Sequence, residues 1–393
     1  MKIIYISSTS AGMHNHSIYF DLLQQMKQLG HDITIVYARE ARENKETRLY
    51  EQEGFTYLGI KTGNMTKNKN LIEKALVTLT IDRVFLKNIK QYLGENLYDL
   101  VLYSTPPITF DKTIEHFIQQ GSFTYLMLKD IFPQNAVDIN LFSKHGLINR
   151  YFTRKEKKLY VDAKMIGVMS PANRDFLIER DNKLRNKIEV LPNALKIQNR
   201  VTSLKRSDYG LNEDDLILLY GGNLGLPQGI PFIVECMKAL ETESNVKLVI
   251  CGTGSEAYLI ESAIKDFGLK NTIYLGQLEV DIYQQLASLC DVGLIYLDAR
   301  FTVPNYPQRI LNYMEERKPV ICATDLNTDI GSIAVSNNYG FSLESKDAKT
   351  WLEYVKILKD DESLRLKMGE NAYRYIIENY NVESICDIIL AHF

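Results

Sequence analysis

LILLYGGNLGLPQGI, residues 216–230, decides how this chain is built. Leu216–Tyr220 is an apolar run with no polar interruption, which is how a strand covered on both faces reads. Gly221, Gly222 and Gly225 follow at once, and a helical pattern begins near Ile230. Strand, glycine loop and helix together present bare backbone N–H groups to an anion at a helix N-terminus. The stretch contains no Lys or Arg, so a bound phosphate would need its counter-charge from another segment. A tight strand-to-helix turn, with Gly allowing close packing, is the competing reading of the same residues.

Similar short apolar runs recur on either side. In the first half they lie at 2–6, 32–37, 99–104, 123–128, 164–169 and 187–191; in the second at 216–221, 246–251, 271–276, 291–296 and 318–323. Helix-period segments fall between them, such as 17–30, which stops on Gly30. This alternation predicts the α/β class, with two successive doubly wound, parallel, Rossmann-like sheets facing a cleft and ligands at the carboxyl ends of the strands. A length of 393 residues is about twice that of one domain. The boundary is expected at Leu191-Pro192-Asn193-Ala194, giving a first domain over 1–193 and a second over 194–375. A last helix over 376–393, with no strand after it, is expected to cross back onto the first domain.

Hydrophobic content of 45% and charged content of 24% are those of an ordinary globular protein. No apolar run approaches the roughly 18 residues of a membrane span. MKIIYISSTSAG at the N-terminus reads as a first strand, not a secretory signal. The five cysteines, 236, 251, 290, 322 and 386, are scattered in apolar stretches without a Cys-x-x-Cys pair. Neither a disulfide framework nor a zinc site is expected, and a cytoplasmic location is. No Asp-x-Asp occurs, so no metal is expected to hold a diphosphate.

Residues 1–193 carry 27 Lys and Arg against 21 Asp and Glu, a balance of +6, and residues 194–393 carry 19 against 28, a balance of −9. The asymmetry points the first half towards something anionic, unless it is drift without function. Residues 144–164 concentrate the basic charge, with seven Lys or Arg against two acids. Leu147, Ile148, Tyr151, Phe152 and Leu159 recur there near helical spacing, between Arg150, Arg154, Lys157 and Lys158. A basic amphipathic helix fits a lipid surface; an apolar stripe packed on the core fits equally. Nothing in the pattern calls for nucleic acid as a partner.

Seven motifs in order carry a family resemblance over nearly the whole chain. They are Ser7–Gly12 after the first strand, Thr105-Pro106-Pro107, Lys129-Asp130-Ile131-Phe132-Pro133, Leu191-Pro192-Asn193, Gly222-Asn223-Leu224-Gly225, Gly252-Thr253-Gly254, and Pro307–Tyr313 before Lys318-Pro319-Val320. The chain resembles GT-B glycosyltransferases of the retaining family 4. The likeness is strongest to the branch of N-acetyl-L-fucosamine and related amino-sugar transferases of capsule and O-antigen synthesis. The resemblance implies a metal-independent enzyme that moves a sugar, an amino sugar in this branch, from a nucleotide diphosphate donor, UDP-linked. The implied acceptor is a lipid-linked glycan at the inner face of the membrane, bound by the first domain.

Residue by residue, the resemblance makes Gly12, Gly222, Asn223, Gly225, Gly252 and Gly254 donor-binding. The family's Arg after the glycine and its Lys a few residues on are Asn223 and Gln228 here, and the family's paired Glu are Pro304 and Asn312. Arg309, where the branch has Lys, is the candidate cation, since a guanidinium grips phosphate bidentately. Asn312 is left to hydrogen-bond the ribose. Asp130, after a strand end, is the candidate base for the acceptor hydroxyl, with Lys129 beside it; an N-cap or ion-pair role is its plainer alternative. His14 and His16 are polar loop candidates. A UDP-amino-sugar epimerase or a non-catalytic partner subunit stays open on the absent Glu pair, and a Rossmann dehydrogenase is disfavoured because no Gly-x-Gly-x-x-Gly follows either first strand.

Overall fold

The computed structural model describes residues 1–10, 17–65, 71–193, 195–198 and 202–393. The chain divides into two compact units: Met1–Lys196 with Asn381–Phe393, and Ile197–Tyr380.

The first unit is built on strands β1 (Lys2–Ser7), β2 (Asp32–Glu40), β3 (Arg48–Gln52), β4 (Phe55–Thr62), β5 (Leu100–Ser104), β6 (Phe123–Leu128), β7 (Met165–Val168) and β8 (Ile188–Val190). They pair in the order β3-β4-β2-β1-β5-β6-β7-β8. Every pairing is parallel except β3 with β4. That antiparallel hairpin turns at Glu53 and Gly54, both at positive φ (52° and 72°), the backbone that a two-residue hairpin turn requires. The sequence reading did not name β3 and β4.

Apolar residues of the central strands and of helix Ile18–Gln28 form the first unit's core. The C-terminal helix Val382–Leu390 adds Val382, Ile385, Cys386 and Ile389 to it. Their spacing puts all four on one helix face. Asn381 starts that helix, its side chain accepting the Ser384 N–H at 2.8 Å. At the other end His392 meets the Glu189 carboxylate at 2.9 Å and stacks on Phe123.

The second unit has strands β9 (Leu216–Gly221), β10 (Val246–Cys251), β11 (Thr272–Tyr274), β12 (Val292–Tyr296), β13 (Val320–Thr324) and β14 (Gly340–Glu344). Their order is β11-β10-β9-β12-β13-β14, all parallel. The sequence reading did not name β14. The order reverses at β9, whose neighbours are β10 and β12, and such a switch point opens a crevice at the strands' carboxyl ends. The expected α/β class with Rossmann-like parallel sheets is the fold observed.

Candidate functional site

In the second unit two loops meet beyond β9 and β10. The Gly222 N–H donates to the Cys251 carbonyl at 3.0 Å, Leu224 N–H to the Thr253 carbonyl at 2.9 Å, and Glu256 N–H to the Leu224 carbonyl at 2.9 Å. Glycine is required for this approach. A Cβ on Gly252 would lie 1.8 Å from the Gly222 oxygen, and one on Gly254 would lie 2.1 Å from the Leu224 oxygen. Gly222 and Gly252 also hold φ of +146° and +129°, conformations that a side chain strains.

These contacts narrow the anion cradle expected of Gly222–Gly225. The amides of Gly222 and Leu224 are taken up by the neighbouring loop, and that of Gly225 faces the Gln228 side chain at 3.3 Å. The N–H groups of Asn223, Thr253, Gly254 and Ser255 have no partner among the described residues, and they are what the two loops can offer an anion. Asn223 and Gln228, which stand where the resembled family has cations, bind each other, amide to amide, at 2.9 Å. They close the loop and supply no charge.

Charge comes from Arg309. This residue precedes helix Ile310–Glu315, and its guanidinium carbon lies 4.7 Å from the centre of the Tyr220 ring. On the other side it abuts the loop, where a Cβ on Gly222 would be 2.9 Å from it. Nη1 is buried without a hydrogen-bond partner among the described residues. Burial opposes the Arg309 charge most strongly, the Tyr220 and Tyr313 hydroxyls favour it, and the balance lies above the ordinary value. Arg309 as a whole is half-buried, but its charged fork holds one buried, vacant N–H, a costly arrangement unless something anionic fills it. Asn312, one turn further along the helix, is half-buried.

Three tyrosines that the sequence did not single out as site residues complete this wall. The Tyr220 hydroxyl donates to the Asn223 carbonyl at 2.9 Å. The Gly221 N–H donates to the Tyr313 hydroxyl at 3.3 Å, and the Tyr283 hydroxyl to that of Tyr313 at 3.4 Å. Their only signal in sequence was position: Tyr220 next to last in its strand, Tyr313 four residues after Arg309.

In the first unit the polar groups gather at the carboxyl ends of β1, β5 and β6. Ser8 donates to the Pro106 carbonyl at 3.2 Å. The Thr105 hydroxyl accepts from the N–H groups of Lys129 (3.1 Å) and Asp130 (3.4 Å), fixing their backbone. Surrounding protein pushes the Asp130 carboxyl up to about 6, opposed by Lys129, and pushes the Lys129 ammonium down to about 7, opposed by Asp130. Asp130 nevertheless has an exposed surface, so water screens its carboxyl and the upward direction is what the geometry supports. Neither the N-cap nor the ion-pair role is seen for Asp130 among the described residues. Gly12, His14 and His16 lie outside the described residues.

The basic segment forms helix Leu147–Asp162, and the structure divides its residues in two. Phe152 packs edge-on against Phe132 at 5.1 Å, and Leu159 and Tyr160 are buried. Lys155 is paired with buried Asp111 at 2.7 Å and Lys158 with Asp162 at 3.0 Å. Left in solvent are Leu147 (80% exposed) and Ile148 (57%), with Lys144, Arg150, Arg154 and Lys157. Among the described residues no helix is long and apolar enough to cross a membrane, and no cluster of three or more His, Cys, Asp or Glu could hold a metal.

Residues 201–375, nearly all of the second unit, match the family described as glycosyl transferases group 1. The fold is GT-B, and the second unit is similar to group 1 glycosyltransferase domains. The probable glycosyltransferase WbjE of Pseudomonas aeruginosa is 22% identical over 363 residues, covering 88% of this chain and 87% of that protein. The N-acetyl-alpha-D-glucosaminyl L-malate synthase of Bacillus anthracis is 22% identical over 213 residues, 53% of each chain. Among solved structures, sucrose-phosphate synthase of Thermosynechococcus elongatus superposes with a TM-score of 0.76 at 16% identity, covering 100% of this chain and 98% of that one. Anabaena HepE in complex with UDP gives 0.70 at 14% identity, covering 100% and 99%. In this unit the glycine loops and Arg309 occupy the switch-point end of the sheet.

Proposed function

We propose that this glycosyltransferase takes a sugar, an amino sugar, from a UDP-linked donor and passes it to a hydroxyl of a lipid-linked glycan, with retention of anomeric configuration. The observation that carries the donor half is the charged Arg309 with its buried, vacant Nη1 beside Gly222. A diphosphate is the ligand class that supplies paired anionic oxygens to such a fork. Arg309 and the open amides of Asn223 and Thr253–Ser255 would stabilise the charge that develops on the leaving diphosphate, where a transferase of this kind gains most. Arg309 thus does the work that a divalent ion does elsewhere, and we propose that no metal is needed. Asn312, half-buried on the helix that follows Arg309, would hydrogen-bond the ribose hydroxyls. UDP in the complex of Anabaena HepE supports the choice of base, and the glucosaminyl relative supports the amino sugar.

The acceptor half rests on the first unit. Asp130, held by Thr105 and raised towards neutrality, is suited to take the proton of the attacking hydroxyl. The exposed end of helix Leu147–Asp162 would seat the enzyme peripherally on the anionic inner leaflet, where a lipid-linked acceptor resides. Calorimetry with UDP, UMP and uridine tests the donor reading. UDP should bind more tightly than uridine, and Arg309→Ala should weaken UDP by about 10- to 100-fold, the loss of one or two charge-assisted hydrogen bonds, while uridine is unaffected. Equal binding of UDP and uridine by the unmodified protein would remove the diphosphate site and favour a non-catalytic partner.

A further inference from the structure

We propose that Tyr220 is a positioning residue for Arg309, acting through the plane of its ring; the proposal rests on the diphosphate reading above. Tyr220 is fully buried in β9, and its ring lies tilted against Tyr296 with centroids 5.5 Å apart. Its hydroxyl is tied to the Asn223 carbonyl at 2.9 Å. The ring is thus held at both ends, by the core behind it and by the glycine loop in front. Arg309 lies over this fixed face at 4.7 Å, and Gly222 is also against it, where a Cβ would come within 2.9 Å of the guanidinium carbon. Bidentate recognition of a diphosphate depends on the plane of the fork, and a flat aromatic face fixes that plane while favouring the charge. The loop itself holds no Lys or Arg, since Asn223 and Gln228 stand there and bind each other, so no second cation of the loop can correct a misaligned Arg309. One tyrosine therefore sets both the loop carbonyl and the cation that faces it.

The test is calorimetric affinity for UDP and for uridine in the full chain. Tyr220→Phe keeps the face and should stay within about threefold of the parent for UDP. Tyr220→Leu removes it and should weaken UDP about tenfold, with uridine within twofold. In an Arg309→Ala background, Tyr220→Leu should cost nothing further, since residues acting as a unit are not additive. Arg309→Lys keeps the charge without the plane, leaves the core untouched, and should bind UDP nearly as weakly as Arg309→Ala. The proposal is overturned if Tyr220→Leu weakens UDP and uridine equally, if its loss persists in the Arg309→Ala background, or if Arg309→Lys binds like the parent. In those cases a parent that still prefers UDP, and loses that preference in Arg309→Ala, keeps the diphosphate reading alone standing. A parent with no such preference ends both.

Discussion

Gly252 shows how tightly single residues are constrained around the donor loop. Its missing side chain admits the Gly222 carbonyl, which a Cβ would meet at 1.8 Å, and its φ of +129° lies where other residues are strained. Gly252→Ala should cost about 2 kcal/mol, a fall of roughly 4–8 °C in the melting temperature of a domain this size. A melting curve unchanged by the substitution would show that the two loops can part. Asp130 gives a pH test. Its carboxyl is raised above the usual carboxylate range by the surrounding protein and must be ionised to accept a proton, so turnover should fall as pH drops through its titration. Lys129 opposes the rise, so Lys129→Met should move this limb to higher pH, and Asp130→Asn should abolish it with a loss of about 10²- to 10⁴-fold. An unshifted limb in Lys129→Met would separate the two residues.

Two elements show what packing adds to a sequence reading. The last helix, expected over 376–393 against the first domain, runs over Val382–Leu390, and the structure identifies Val382, Ile385, Cys386 and Ile389 as the face that completes the first unit's core. Ile385→Ala should accordingly cost about 2–5 kcal/mol, measured as a drop in the denaturant midpoint. A surface helix would lose far less. Helix Leu147–Asp162 looked uniformly basic and amphipathic, but two of its cations pair with Asp111 and Asp162 and its Phe152 leans on Phe132. Of the residues expected to enter lipid, Tyr151, Phe152 and Leu147, Phe152 packs on Phe132 instead, whereas Leu147 is exposed together with Ile148. The β3–β4 hairpin was missed because Glu53-Gly54 is a less familiar turn pair than Asn-Gly, although its flanking residues are strand formers.

At the scale of the molecule the charge asymmetry survives the true boundaries. The first unit carries 28 Lys and Arg against 23 Asp and Glu, and the second 18 against 26, balances of +5 and −8. If the basic unit meets the inner leaflet, the protein should cosediment with anionic vesicles at low salt and be released at high salt. Four exposed cations at about 1 kcal/mol each would suffice for reversible attachment. Replacing Lys144, Arg150, Arg154 and Lys157 with Gln should lower that binding without lowering the melting temperature, because none of them is ion-paired among the described residues. Protein that stays in the supernatant at low salt would point to a soluble acceptor.

Period and composition act locally, and what depends on them was determined by the sequence alone. Unbroken runs such as Leu216–Tyr220 specify covered parallel strands, glycines mark the loops between them, and repeated strand–helix alternation leaves few topologies other than two doubly wound sheets. The order of motifs likewise carried the resemblance to GT-B glycosyltransferases, whose fold is the one observed. Contacts between distant segments obey no such local rule. That Asn223 and Gln228 neutralise each other's role, that Arg309 lies on Tyr220, that Lys155 is bound to Asp111, and which loop amides stay open were decided by the tertiary structure. The physical reason is that a hydrogen bond or ion pair depends on positions within a few ångströms, and those positions are set by the whole sheet to which each residue is attached.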